Sequence, residues 1–320
     1  MSSLTIIVPT YNRAEKLRRA LRRLTSQTPA HPPAQIIVVD NNSTDDTARV
    51  TAEFGDCVRY VFEPKQGLSH ARNAGIAACS FRVGPQATSS ASHIIAFTDD
   101  DVEVATDWTA VITREFERQP GIDCLGGRVL PQWEGPPPAW LTREHWAPLA
   151  LQDHGDVPRE FDRDTPICLV GASVAFRASV FDRAGLFSPD VQRVRDGVGS
   201  TEDHDMLRRL YDAGGRARYT PDLRATTVVP AERLTRKYHR RWHEGHGRFH
   251  AVMRIPEMER SARGRVLGVP AHLYRSAAAD AAAWLRLLVA GHRTRAFAAE
   301  MRLRFFSGFL RERCLGTPRR

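Results

Sequence analysis

The chain has 320 residues, 42% of them hydrophobic, enough to bury a substantial core as one large or two modest domains. Its formal charge of +9 is unevenly placed: residues 233–320 carry 20 Lys and Arg against 6 Asp and Glu, whereas residues 1–232 carry 26 against 31. No stretch approaches the roughly 20 apolar residues that span a bilayer, and the apolar start lacks the basic flank of a signal peptide, so spanning and export are not expected. Cys57, Cys79, Cys124, Cys168 and Cys314 form neither a CxxC pair nor a zinc pattern and fit reduced thiols in a cytoplasmic setting. An acidic body followed by a basic tail points to an anionic partner for the tail, either nucleic acid or an anionic membrane surface.

In chain order, Leu4 to Val8 is a buried-strand pattern that breaks into Pro9-Thr10-Tyr11-Asn12-Arg13. Leu17, Leu21 and Leu24 then place one apolar face on a helix. Gln35 to Val39 is a second strand ending in Asp40, after which Ser43 or Thr44 can cap the next helix, with Asp45 and Asp46 in its first turn. Val58 to Phe62 reads as a third strand, followed by Gly67-Leu68 and a helix carrying Arg72 and Asn73. A Ser/Gly/Ala-rich loop around Gly84 to Ser92 leads to a fourth strand, His93 to Phe97, which stops in Thr98-Asp99-Asp100-Asp101.

Strands alternating with helices imply a mostly parallel sheet with helices on both faces, and ligands of such sheets lie beyond the carboxyl ends of the strands. Pro9 to Arg13, Asp40, the 65–72 segment and Asp99 to Asp101 all fall there. Three adjacent carboxylates repel one another unless a cation neutralises them, which makes Asp99, Asp100 and Asp101 metal candidates; an acidic turn before a helix is the plainer reading.

These pieces together resemble glycosyltransferase family 2, with its GT-A nucleotide-diphospho-sugar fold. They are VPTYNR at 8–13, VVDNNSTDDT at 38–47, GLSHARN at 67–73, TDDD at 98–101 and TED at 201–203. The resemblance covers about the first two-thirds of the chain. It implies a Rossmann-like α/β domain over residues 1–232, with 233–320 a basic helical extension. It further implies that Asp99 contacts the ribose, that Asp101, with Asp99, binds Mn²⁺ or Mg²⁺ on the donor diphosphate, and that Asp100 supports them. Asp203 would be the general base, assisted by Glu202, of an inverting displacement. Pro9, Tyr11 and Asp40 would meet the nucleobase, a pyrimidine such as uracil, and Arg13 and Arg72 would lie on the nucleotide side, with Arg72 reaching the phosphates or the sugar. Gly171 and Ala172 would line the donor-sugar and acceptor pocket. Arg241 and Trp242 resemble the end of a QxxRW motif on the pyrophosphate and acceptor side, although Tyr238 stands where Gln would be. Thr226 and Thr227 occupy the zone where many such enzymes place a metal-binding His.

Two further segments are ambiguous on residue pattern alone. Pro131 to Leu149, with Trp133, Trp140 and Trp146, is either an acceptor-side lid or ordinary packing over the sheet. Phe297, Met301, Phe305, Phe306 and Phe309 make an apolar stripe flanked by arginines that either packs inward or lies on an anionic membrane, the latter being the expectation. The functional expectation is transfer of a sugar from a nucleotide-diphosphate donor, with UDP-sugar foremost, to a glycan or lipid-linked acceptor at the inner face of the cell membrane, without nucleic acid. The rivals are a sugar-nucleotide nucleotidyltransferase and a non-catalytic nucleotide- or polyanion-binding module.

Overall fold

The structure, a computed structural model, describes residues 3–28, 33, 35–79, 93–192, 194, 197–259 and 264–316. The loop expected around 84–92 lies outside the described residues. Residues 1–132, 150–189 and 202–229 form one compact unit, and 133–149, 190–201 and 230–320 form another. The second unit thus takes in residues 133–149 and 190–201 as well as the C-terminal region from 230.

In the first unit, β1 (Ser3–Thr10), β2 (Gln35–Asp40), β3 (Val58–Phe62) and β4 (His93–Thr98) are parallel in the order β3-β2-β1-β4. The first three are joined through α1 (Ala14–Thr25) and α2 (Thr47–Ala52), and α3 (Leu68–Ala77) follows β3. The apolar runs of β1, β2 and β4 are buried almost without interruption, as strands covered on both faces must be, whereas the edge strand β3 buries only Val58. The register pairs Thr10 with Asp40 and Asp40 with Phe62, so the polar strand ends share one edge. α1 buries Leu17, Leu21 and Leu24, the face its spacing predicts.

Beyond β4 come β5 (Val102–Val104), α4 (Trp108–Arg118), β6 (Cys124–Trp133), β7 (Arg159–Phe161), β8 (Ser173–Arg177), α5 (Ser179–Arg183), α6 (Glu202–Asp212) and β9 (Ala217–Val229). These strands extend the sheet antiparallel in the order β4-β8-β6-β9-β5, with β7 on β9. Pairing of Thr98 with Ser173 sets Gly171 and Ala172 beside the acidic stretch. Phe97, Phe176, Phe181 and Phe187 pack beneath it, with Phe97 and Phe187 edge to face at 5.3 Å.

The expected cap is corrected. α2 begins at Thr47, and its N-terminal flanking residue is Asp46 with no side-chain cap bond. The Ser43 hydroxyl instead accepts the Asn12 N–H at 2.9 Å, and Asp45 accepts the N–H groups of Ala14 and Thr47 at 3.0 and 3.1 Å. One carboxylate thereby serves the starts of two helices.

The second unit contains α7 (Arg236–Met253), α8 (Pro256–Glu259), the short β10 (Arg265–Val266) and β11 (Val269–Pro270), α9 (Ala271–Val289) and α10 (Arg293–Leu315). Thr235 caps α7 by accepting the Tyr238 N–H. Gly247 and Gly308 let α7 and α10 touch. A Cβ on Gly247 would sit 1.9 Å from the Phe305 carbonyl oxygen, and one on Gly308 1.9 Å from that of Glu244. Phe297, Met301 and Phe309 are buried, so the α10 stripe expected to face a membrane is turned inward. Ion pairs Arg240–Glu300, Arg248–Glu312 and Arg311–Glu244 cross the same contact. Trp140 meets His239 at 5.0 Å and Phe297 at 4.9 Å, so this part of the 131–149 segment packs on α7 and α10 within the second unit.

Burial pushes the His239 ring down to about 4, helped by His145, and the His243 ring to about 3; in the first unit burial lowers His93 to about 4. Each is neutral when folded yet charged when unfolded below about 6.5, so the unfolded chain binds more protons between 6.5 and 4, and the stability these rings contribute above 6.5 is lost as pH falls through that window. Asp100, pushed up to about 6 by burial, works in the opposite sense near the same range. The histidine contribution is therefore read as a difference. His239→Phe should reduce the acid-induced loss of stability between pH 7.5 and 4.5 by roughly 2 kcal/mol in urea titrations, and an unchanged pH dependence would contradict a buried neutral ring.

Candidate active site

Arg72 stands at the centre of the strand-end edge. Its residue is 2% exposed, which takes its guanidinium out of bulk water. A buried guanidinium needs charge partners, and it has three. Nη1 donates to Asp203 Oδ1 and lies 3.5 Å from Glu202 Oε1, and Nη2 lies 4.0 Å from Asp99 Oδ1. Burial works against its charge, but Asp203, Glu202 and Asp99 outweigh that and raise its pKa above the ordinary value. Its carbon centre also lies 5.1 Å from the Phe187 ring centroid and 5.8 Å from that of Phe97.

Asp203 is held at both oxygens, by Arg72 at Oδ1 and by the Gly171 N–H at Oδ2 over 2.9 Å, while its side chain keeps 24% exposure. It is thus fixed in orientation and still open on one side. Gly171 is required here, because a Cβ would fall 2.4 Å from Arg72 Nη2 and 2.5 Å from Asp203 Oδ1. Ala172 is buried, and its carbonyl accepts the Thr98 hydroxyl at 3.0 Å. Glu202 is buried behind Asp203 at the start of α6.

The acidic stretch divides into three environments. Asp100 is buried; it accepts the Thr10 hydroxyl at 2.8 Å and Arg13 Nη1 at 3.1 Å, and burial, with Asp101 adding to it against Arg13, lifts its pKa to about 6. Asp101 accepts Arg13 Nη1 at 3.2 Å and lies 3.9 Å from Lys16 Nζ, with its side chain 12% exposed. Asp99 is the most open, at 26%. Arg13, expected on the nucleotide, is thus engaged by the carboxylates themselves.

Five carboxylates, Asp99 to Asp101, Glu202 and Asp203, gather with three cations, Arg13, Lys16 and Arg72. The excess negative charge fits a divalent cation. Among the described residues no group of three or more His, Cys, Asp or Glu converges as a metal site. Asp99 and Asp101 offer hard carboxylate oxygens, donors of the kind that could hold Mg²⁺ or Mn²⁺ if a ligand and water completed the shell. β9 brings Thr227 against this stretch, where its hydroxyl donates to the Asp101 carbonyl at 3.1 Å, and β9 contains no histidine.

At the end of β1, Pro9 is buried and pairs in register with Val39 of β2, and Tyr11, just past the strand, is half-buried. Asp40 is also buried; Oδ1 accepts the Ser43 N–H at 2.8 Å and Oδ2 the Tyr60 hydroxyl at 2.7 Å, and each oxygen has a second lone-pair direction with which it could accept a donor. Sequence reading missed Asn41. Its buried amide donates to the Lys65 carbonyl at 2.6 Å and accepts the Gly67 N–H at 2.7 Å, fixing the loop that delivers Arg72. The Asx position directly after a strand was the available signal.

Arg241 and Trp242 lie on α7 in the second unit. Trp242 stacks on His246 at 4.4 Å, and Arg241 borders a cavity of about 360 Å³ with Val198, Glu244, Arg248 and Phe249.

The sequence pattern described as glycosyl transferase family 2 matches residues 5–183. The glucosyl-dolichyl phosphate glucuronosyltransferase of Haloferax volcanii is 23% identical over 66% of this chain and 64% of its own length. The pre-mycofactocin glycosyltransferase of Mycobacterium tuberculosis is 26% identical over 68% of this chain and 41% of its own. The chain thus spans less than two-thirds of either relative. The solved structure of GalNAc-T7 with UDP, GalNAc and Mn²⁺ matches with a TM-score of 0.53 over 79% of this chain and 48% of that one, at 17% identity, a likeness of fold. With more than half of its residues inside the matched span, the chain belongs to glycosyl transferase family 2.

Proposed function

We propose that the chain is an inverting, metal-dependent glycosyltransferase that moves a sugar from a nucleotide diphosphate, with UDP as the nucleotide, to a hydroxyl of a glycan or lipid-linked acceptor. The observation that carries this reading is the convergence of Asp99, Arg72, Gly171 and Asp203, drawn from four separate segments, at the carboxyl edge of the parallel strands. An oriented, partly open carboxylate beside a cluster with excess negative charge is what acceptor deprotonation next to a metal-bound diphosphate requires. The names of the two relatives support a sugar transfer, and that of the Haloferax volcanii enzyme includes a lipid phosphate.

In this reading Tyr11 lies against the base, Asp40 accepts a ring N–H, and Asp99 takes the ribose. Asp101 and Asp99 would hold the cation, which when bound neutralises the departing diphosphate. Asp203 accepts the acceptor hydroxyl proton as that oxygen bonds to the anomeric carbon and the sugar–phosphate bond breaks with its electron pair leaving on the nucleoside diphosphate. Arg72 and the Gly171 N–H hold the carboxylate in place. Displacement by a single base inverts the anomeric centre. The nucleotidyltransferase rival loses ground because Arg13, its nearest equivalent to a phosphate-loop cation, is bound to Asp100 and Asp101. A lipid-linked acceptor and the basic second unit support a peripheral position at the inner membrane face.

Asp203→Asn should lower kcat by about 10² to 10⁴ while donor binding is kept, because the oriented base is lost and the donor contacts remain. Equal turnover by the variant would remove Asp203 from the role. The donor site is tested by thermal stability with UDP, GDP, dTDP and CMP, each with and without Mn²⁺. UDP with Mn²⁺ at about 100 times its Kd should stabilise the fold by about 2.7 kcal/mol, and Asp101→Ala should abolish the Mn²⁺-dependent part. Stabilisation that is equal with and without Mn²⁺ would contradict a metal-bridged diphosphate.

A further inference from the structure

We infer that the outer face of α9 is a docking surface for an anionic lipid bilayer. This inference rests on the peripheral membrane position proposed above and locates it on one element. α9 is 19 residues long, and none of its residues is buried. One side faces α10, where Tyr274 meets Phe306 at 5.3 Å and Asp280 accepts Arg302 at 2.7 Å. On the other side Ala278, Ala279, Ala282, Leu285 and Val289 recur at helical spacing, and all five are exposed. Leu285 keeps 57% of its surface, Leu288 43% and Val289 91%. The stripe thus gains its width toward the α9–α10 corner.

Charge identifies the occupant. Between Asp280 and Glu300 the sequence has no carboxylate, and Arg286, Arg293 and Arg295 are exposed around the same corner. None of these three makes an ion pair among the described residues. Arg302, Arg304, Arg311 and Arg313 of α10, by contrast, are paired with Asp280, Glu300, Glu244 and Glu259. A second copy of the same face would set three arginines against three arginines, whereas anionic headgroups complement them. Among the described residues no helix is long and apolar enough to cross a membrane. A stripe from 278 to 289 spans roughly 16 Å, which suits a helix lying in the interface with its aliphatic side chains at the acyl boundary and its arginines among the headgroups.

Flotation of the full chain with phosphatidylcholine vesicles, with and without phosphatidylglycerol, tests the assignment. Wild type should bind only the phosphatidylglycerol vesicles. Leu285→Ser/Val289→Ser should weaken that binding by at least about tenfold, since the aliphatic contact is removed without adding charge. Arg286→Gln/Arg293→Gln/Arg295→Gln should abolish the preference for anionic lipid. All these positions are exposed, so unchanged melting temperatures verify folding. Binding by wild type that the serine variant retains in full would overturn the α9 assignment and leave the peripheral reading intact. Absence of wild-type binding to anionic vesicles would overturn the peripheral reading itself. A dimer in light scattering that the serine variant dissolves would overturn the lipid assignment in favour of a second copy.

Discussion

A buried arginine governs the candidate site. With its residue only 2% exposed, Arg72 cannot satisfy its charge with water, so the fold must bring carboxylates to it. Asp99 comes from the end of β4, and Glu202 and Asp203 from the start of α6. The aromatic floor of Phe97 and Phe187 lowers the local dielectric and makes each of those attractions stronger. Gly171 completes the arrangement by leaving room for both ions and offering its N–H to Asp203. The orientation of the proposed base is thus a consequence of neutralising one cation.

The same logic, at a second cation, organises the neighbouring carboxylates. Arg13 joins Asp100 to Asp101 and ties the end of β1 to the end of β4, while the Thr10 hydroxyl supports Asp100 from the same strand. Asp100 belongs to the framework, and Asp99 and Asp101 stand on either side of it with more exposure. Three consecutive aspartates therefore divide into a buried support and two flanking ligand candidates, a division set by burial and not by sequence position. Asn41 performs the corresponding task for the loop before α3.

Much of the first unit was legible in the sequence, because an Ile- and Val-rich run that ends in polar residues is both a buried parallel strand and a pointer to its ligand edge. That pattern located β1, β2 and β4 and the residues at their ends, while the edge strand β3, VRYVF, was read without being buried. The partners of Arg72 were not legible: Asp203 lies 131 residues away, and no local periodicity encodes the pairing. The stripe on α10 was ambiguous for a different reason, since an amphipathic helix looks alike whether it covers another helix or a lipid surface. The deciding signals were Gly247 and Gly308, whose missing side chains allow the close crossing with α7. Trp140 followed the same rule, as a large aromatic whose ring partners come from distant helices. The antiparallel half of the sheet depends on β8 entering beside β4, a long-range pairing that turn chemistry alone does not specify.

A double-mutant cycle between Arg72 and Asp203 in denaturant-monitored stability tests the central claim most directly. Arg72→Met leaves the buried Glu202 and the partly buried Asp203 without their cation, and Asp203→Asn leaves the buried cation short of a charge, so each single change should be costly and the double change much less than their sum. A coupling above about 2 kcal/mol is the predicted result. Additive effects within about 0.5 kcal/mol would show that Arg72 does not hold the base, and would contradict the account.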